Sequence, residues 1–348
     1  RLAAEVEDHC DTTHGGYVER GGRPNEDAIA LALLMGDAGP QWTRHATATL
    51  DWMRSFADSN GGGYYDRNPG QDGPSTMVDK STVVHARRLE AQLDAWEATG
   101  DPRYRANAAW VADFVSRVLL DPRGGFVVGQ LGDREPQPLP NGLMIHAWLR
   151  WAAANADPRM RDFAFRSIDV VWKRAWVDDA GLIQVGTFGE PLAHSQLLDQ
   201  VEMGRALVLA SRVGGRPEDR QRATMLGELL LSHFEDPTHG GFRTQAVRAH
   251  DGTVKKASRD IDENARAALF LYELARLTGD VRYHVAADHA VTAFENHFDK
   301  LSLDASDWAL AIRAAWVDDL PAAPAWRAVA EDVKTESSRS HTYRIKKR

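Results

Sequence analysis

The chain has 348 residues, 43% hydrophobic and 26% charged, a formal net charge of −8 and a single cysteine, Cys10. The acidic balance argues against a nucleic-acid partner, and one cysteine excludes both an internal disulfide and a CxxC redox motif. No apolar run reaches the roughly 18 residues of a membrane span, so the expectation is a soluble protein, with the cytoplasm the favoured compartment.

Hydrophobic spacing predicts helices in pairs along the chain: 25–36 with 41–57, 79–99 with 103–119, 141–155 with 158–175, 195–213 with 217–234, and 262–278 with 281–297. A sixth first helix is expected at 305–317, its partner being either 322–333 or the N-terminal stretch 2–10. The turn chemistry repeats with the helices. Thr99-Gly100-Asp101-Pro102 closes one helix and opens the next: Asp accepts N–H bonds at a helix start and Pro suits the first turn. Thr278-Gly279-Asp280 repeats the motif. Asp121-Pro122 with Gly124-Gly125-Phe126 returns as Asp236-Pro237 with Gly240-Gly241-Phe242, and weaker copies stand at Gly15-Gly16-Tyr17 and Gly61-Gly62-Gly63-Tyr64.

First helices such as Leu143 to Leu149 and Ala28 to Leu34 are apolar nearly all round, which places them inside. The second helices carry a charged face. An inner ring of helices within an outer one follows: an all-α (α/α)6 toroid, a six-hairpin barrel, over residues 1–320, with a C-terminal extension over 321–348. The connections after each Gly-Gly-aromatic turn are long and those between paired helices short. Long loops therefore gather where the inner helices begin, the end at which function is expected to collect.

Polar residues crowd those helix starts. Asp79 and Lys80 open the second inner helix, with His85 beyond them; Asn141 and His146 belong to the third; Asp199 and Glu202 lie on the fourth; Asp262, Glu263 and Asn264 open the fifth; Asp304, Asp307 and Trp308 open the sixth. Helix capping and solvated first turns account for many of these. Capping does not account for His85, His146 or Glu202, deeper in their helices. Acid–base chemistry needs groups of separated pKa on a common cavity. His85 and Glu202 are the candidate proton-transfer pair, with Asp79, Lys80 and Asp262 beside them. Asp199, Glu263, Asn264, His146 and Trp308 are the candidate substrate contacts. His9, Cys10 and His14 match no zinc spacing, and no dinucleotide, P-loop or nucleophile-elbow motif is present. No metal and no cofactor are therefore expected.

The run from Gly61 to Phe126, with Asp79-Lys80, Ala98-Thr99-Gly100-Asp101-Pro102-Arg103-Tyr104 and Asp121-Pro122-Arg123-Gly124-Gly125-Phe126, resembles the helical domain of the spermatogenesis-associated protein 20 / YyaL-type family. Gly15 to Tyr17, Asp199, Asp236 to Phe242 and Asn264 to Asp280 fit in order, so the resemblance covers most of residues 1–317. It implies an (α/α)6 domain similar to the N-acylglucosamine 2-epimerase superfamily. Those proteins also carry an N-terminal thioredoxin-like domain, which this sequence lacks. Asp79-Lys80 stands where the family has Glu-Lys, and of a Ser-Gly-Asn motif only Asn264 remains.

Two functions are compatible with these residues. One is a carbohydrate-active enzyme of epimerase or isomerase type, taking a sugar or polyol. The other is a non-catalytic binding or scaffold subunit that keeps the toroid. The tail, with Arg344, Lys346, Lys347 and Arg348, is basic on an acidic chain and is a candidate contact with an acidic protein partner.

Overall fold

Short-range chemistry sets the helix boundaries. Side chains of Asn25, Ser81, Asp101, Asp157, Asp260 and Asp280 each accept a backbone N–H in the first turn of the helix that follows. Gly100, Gly215 and Gly279 end helices in the left-handed conformation that glycine adopts without a Cβ penalty. The computed structural model describes residues 1–11, 15–19, 22–66, 79–132, 134–186, 190, 195–246 and 258–316.

Twelve α-helices follow one another among the described residues: α1 (Leu2–Asp8), α2 (Glu26–Leu34), α3 (Pro40–Trp52), α4 (Thr82–Thr99), α5 (Pro102–Phe114), α6 (Pro138–Ala154), α7 (Pro158–Ala175), α8 (Leu197–Gly214), α9 (Pro217–Leu229), α10 (Ile261–Thr278), α11 (Val281–Phe294) and α12 (Ala305–Trp316). A short antiparallel hairpin, β1 (Trp176–Val177) with β2 (Gly181–Leu182), pairs Trp176 with Leu182.

The even-numbered helices form the inner ring. α2 packs on α4, α4 on α6, α6 on α8, α8 on α10, α10 on α12, and α12 returns to α2. α3, α5, α7, α9 and α11 each pack outside the inner helix that precedes them, and α1 packs on α12. The sixth pair is thus completed by the N-terminal stretch, one of the two expected partners. The stretch 322–333 and the basic tail lie outside the described residues. α6 and α8 approach so closely that a Cβ on Gly142 would stand 2.5 Å from the backbone of Glu202 and Met203.

One device recurs at the loop-rich end. Phe126 N–H donates to Asn141 Oδ1 at 2.7 Å, while Asn141 Nδ2 donates to the carbonyls of Phe126 at 2.8 Å and Gln137 at 2.9 Å. Asn264 grips Phe242 in the same way, and Gln200 grips Leu182. At the second repeat the gripping residue is His85: Tyr64 N–H donates to its Nε2 at 2.9 Å, and its Nδ1 donates to the Ser81 carbonyl at 2.7 Å. The clamp explains the Gly-aromatic signature. Gly241 has φ +69°, and Asn264 Oδ1 lies 2.6 Å from where its Cβ would be. A side chain there would be strained by its backbone and would collide with the clamp.

Candidate functional site

The inner ring encloses a cavity of about 460 Å³, within the range of small-molecule sites. All six inner helices line it, and its wall is charged rather than apolar. α2 presents Glu26 and Asp27; α4 presents Arg87, Glu90, Asp94 and Glu97; α6 presents His146 and Arg150; α8 presents Arg205 and Arg212; α10 presents Arg266 and Glu273; α12 presents Arg313. The lining runs from the start of α2 to the last turns of the inner helices, where Leu34, Glu97 and Arg212 are exposed. The cavity therefore reaches the short-turn end, whereas the sequence directs attention only to the loop-rich end.

Every carboxylate on this wall is paired. Asp27 takes Arg87 at 3.0 Å and also Arg266. Arg266 reaches Glu202 at 3.1 Å and Asp307 at 3.1 Å. Arg205 holds Glu273 at 3.3 Å and Glu202 at 3.6 Å. Arg150 holds Asp94 at 2.7 Å and Glu97 at 3.0 Å, and Arg88 takes Glu26 at 2.6 Å. Glu90 takes His146 through Nδ1.

Burial alone would raise the carboxyl of Glu90, but His146, Arg150 and Arg205 hold it down to about 2. Burial opposes ionisation of Asp27 too, and Arg266, Arg87 and Arg205 outweigh it. Asp307, on the same arginine, is raised by burial and by the Asp27 charge. Burial also raises Asp94 and Glu97, which share one arginine.

Of the candidate proton-transfer and substrate residues, His146 lines this cavity, and Glu202 backs it, buried beneath Arg205 and Arg266. The others stand elsewhere. His85 is fully buried with both nitrogens on backbone, and burial drags its pKa down to about 4. Lys80 pairs with Asp58 at 2.6 Å, donates to the Gly62 carbonyl, and lies over the rings of Tyr65 and Phe114. Asp79 accepts the Lys80 and Leu131 N–H groups, tying two loops together. Asn264 is a turn clamp. Trp308 is core, packed on Phe294 and Phe298. Asp199 accepts from Leu139 N–H, at the start of α6, and from Gln184; burial pushes it up to about 6.

Asp262 and Glu263 sit in the first turn of α10, half-buried among other acids. Burial, then Asp304 and Asp260, push Asp262 up to about 6; burial, then Asp260 and Asp199, push Glu263 up to about 7. A carboxyl raised above its unfolded value near 4 favours the fold fully below that pH and loses this contribution as pH rises through the folded value. His85, depressed in the fold, acts in the opposite direction between about 4 and 6.5. A Asp262→Asn/Glu263→Gln variant isolates the acidic pair. Its melting temperature is expected to gain on the parent between pH 5 and pH 8. A gap independent of pH would refute the assignment.

The charged cavity residues carry one signal in the sequence. Arg87, Glu90, Asp94 and Glu97 recur at spacings of three, four and three on an inner helix, and His146 and Arg150 at four. A charged stripe of helical period on a buried helix marks a polar lumen.

No protein-family model and no curated protein sequence matches the chain. Solved structures do. An α-mannanase of glycoside hydrolase family 76 from Bacteroides thetaiotaomicron is similar over 90% of this chain and 93% of its own, at 12% identity and TM-score 0.70. A D-mannose isomerase is similar over 90% and 94%, at 15% identity and TM-score 0.69. The cellobiose 2-epimerase of Spirochaeta thermophila is similar over 90% and 95%, at 15% identity and TM-score 0.66. At these identities the likeness is one of architecture: the chain is an (α/α)6 toroid, with the fold these carbohydrate enzymes share.

Proposed function

We propose that the chain is a carbohydrate-active enzyme of isomerase type, moving a proton between adjacent carbons of an open-chain sugar. The observation that carries this reading is the His146–Glu90 pair on the wall of a cavity shared with Arg205. Nδ1 of His146 is engaged by Glu90, and Nε2 takes no hydrogen bond among the described residues. Glu90 thus acts as a positioning residue that fixes the ring and leaves Nε2 as the base. Nε2 would take the proton from C2. The C–H electron pair would become the C1–C2 double bond, and the carbonyl π pair would move to O1. Arg205, within electrostatic reach of Glu90, would stabilise the resulting enediolate oxygen. Return of a proton from Nε2 to C1, after the abstracted one has exchanged with solvent, with the C2 hydroxyl proton moving to O1, gives the ketose.

A single histidine on one wall suits a same-face shift between C1 and C2 better than epimerisation, which needs a second group on the opposite face. Glycoside hydrolysis needs two carboxyls free to act as acid and as base or nucleophile. Here all six cavity carboxylates are held by arginine or histidine. The D-mannose isomerase among similar structures supports the isomerase reading by fold alone. Kinship with the spermatogenesis-associated protein 20 / YyaL-type family remains a proposal resting on the shared turn motifs.

The direct test is proton NMR of aldoses incubated with the protein in deuterium oxide. Loss of the C2 proton signal is expected. His146→Gln should slow it by about 100-fold or more, and Glu90→Gln by less. Exchange undiminished in His146→Gln would end this assignment. The self-pairing of the cavity charges favours one other reading, a toroid kept as a scaffold. Absence of both exchange and sugar binding in folded protein would support it, and capture of partners with and without residues 334–348 would be the next measurement.

A further inference from the structure

Two cations on the cavity wall are not spent. Arg87, Arg150, Arg205 and Arg266 each hold a carboxylate, whereas Arg212 and Arg313 make no ion pair and no hydrogen bond among the described residues. Both lie in the last turn of their helices, α8 and α12. Arg266 on α10 meets Glu202 on α8 and Asp307 on α12, and Arg276 on α10 meets the Ala314 carbonyl. The three helices therefore run in step, and Arg212 and Arg313 stand at the same short-turn end of the cavity.

A last-turn arginine can serve its own scaffold by capping helix carbonyls. Arg276 does so, donating to Ala314 at 2.8 Å; Arg212 and Arg313 do not. On their own two helices the neighbouring lining residues are apolar, Leu209, Val213, Leu310 and Ala314, and the acid at this end, Glu97, is held by Arg150. An apolar wall lowers the local dielectric and strengthens the attraction of a cation for an anion. Guanidinium forks match the geometry of phosphate and carboxylate.

We infer that the short-turn end of the cavity is an anion subsite, in which Arg212 and Arg313 take the phosphate or carboxylate group of an acidic sugar. The inference rests on the proposed sugar chemistry and names its substrate class. A cavity of about 460 Å³ has room for a monosaccharide bearing such a group.

Titration calorimetry with glucose, glucose 6-phosphate, glucuronate and inorganic phosphate tests it, on the parent, Arg212→Gln, Arg313→Gln and His146→Gln. At least one acidic sugar is expected to bind about tenfold or more tighter than glucose, and the stronger of the two identifies phosphate or carboxylate as the recognised group. Arg212→Gln and Arg313→Gln should each remove most of that preference while glucose binding stays unchanged. His146→Gln should keep the preference and lose deuterium exchange. Equal binding of glucose and both acidic sugars, no binding of either acidic sugar, or a preference intact in both arginine variants would overturn the subsite. Exchange confined to neutral sugars would sink the subsite and leave the isomerase reading standing. Binding of acidic sugars without exchange would do the reverse.

Discussion

Arg266→Met is expected to cost about 3–5 kcal/mol of stability, the range for breaking one side of a buried ionic network. That is a large share of the roughly 5–15 kcal/mol that holds a domain together. Arg266 is only 8% exposed and serves three carboxylates on three other helices. Without it, Asp27 keeps Arg87 and Glu202 keeps Arg205, at 3.0 Å and 3.6 Å. Asp307 loses its arginine, and burial already pushes its carboxyl upward. The cost is one of desolvated charge rather than lost packing, because Met fills much of the same volume. A second change, Asp307→Leu, should therefore recover part of the loss, since replacing both partners removes the orphan. Chemical denaturation of the two variants measures both effects. A single variant within 1 kcal/mol of the parent, or a double variant worse than the single, would show that the network is not what holds α10 to its neighbours.

The second large effect belongs to the turn clamps. Asn141→Ala removes three hydrogen bonds and leaves the Phe126 N–H and carbonyl buried without their partner. Each orphaned group costs about 1–3 kcal/mol, so a loss of about 3 kcal/mol is expected. Asn264→Ala should match it, because the geometry is the same: 2.6 Å from Phe242 N–H, and 2.8 Å and 2.7 Å to the carbonyls of Phe242 and Asp260. This pair also separates two meanings of Asn264. A substrate contact would lose sugar affinity and keep its melting temperature. A clamp should do the opposite, losing stability while the folded fraction binds as before. Calorimetry on Asn264→Ala below its transition gives the answer directly.

The clamp geometry explains why polar residues inside a helical ring are ambiguous in sequence. His85, Asn141 and Asn264 look functional because a polar group in an apolar helix demands a partner. The partner is the chain's own backbone, the turn that follows the preceding outer helix. Nothing local distinguishes that partner from a ligand, since Tyr64 and His85, or Phe242 and Asn264, are about twenty positions apart. Asp79 and Lys80 are of the same kind, tying loops to helix starts. His146 looked no different from His85 in sequence, yet it faces the lumen. The rotation of each helix about its own axis decides this, and packing against four neighbours sets that rotation.

What the sequence determined by itself was the architecture. Helix pairing, the inner and outer character of each helix and the Gly-Gly-aromatic turns are written in spacings of a few residues, where local propensity and capping act. Even the completion of the ring by residues 2–10 was one of two options open from the sequence. The membership of the cavity was decided only by tertiary structure. Arg266 and Asp27 meet across 239 positions, and Glu90 with His146 across 56, because closing six hairpins into a ring brings helices from both ends of the chain onto one axis. Charge pairing then sorts the groups: every carboxylate on the cavity wall takes an arginine or a histidine, and among the described residues Nε2 of His146 and the guanidinium groups of Arg212 and Arg313 are left without a polar partner.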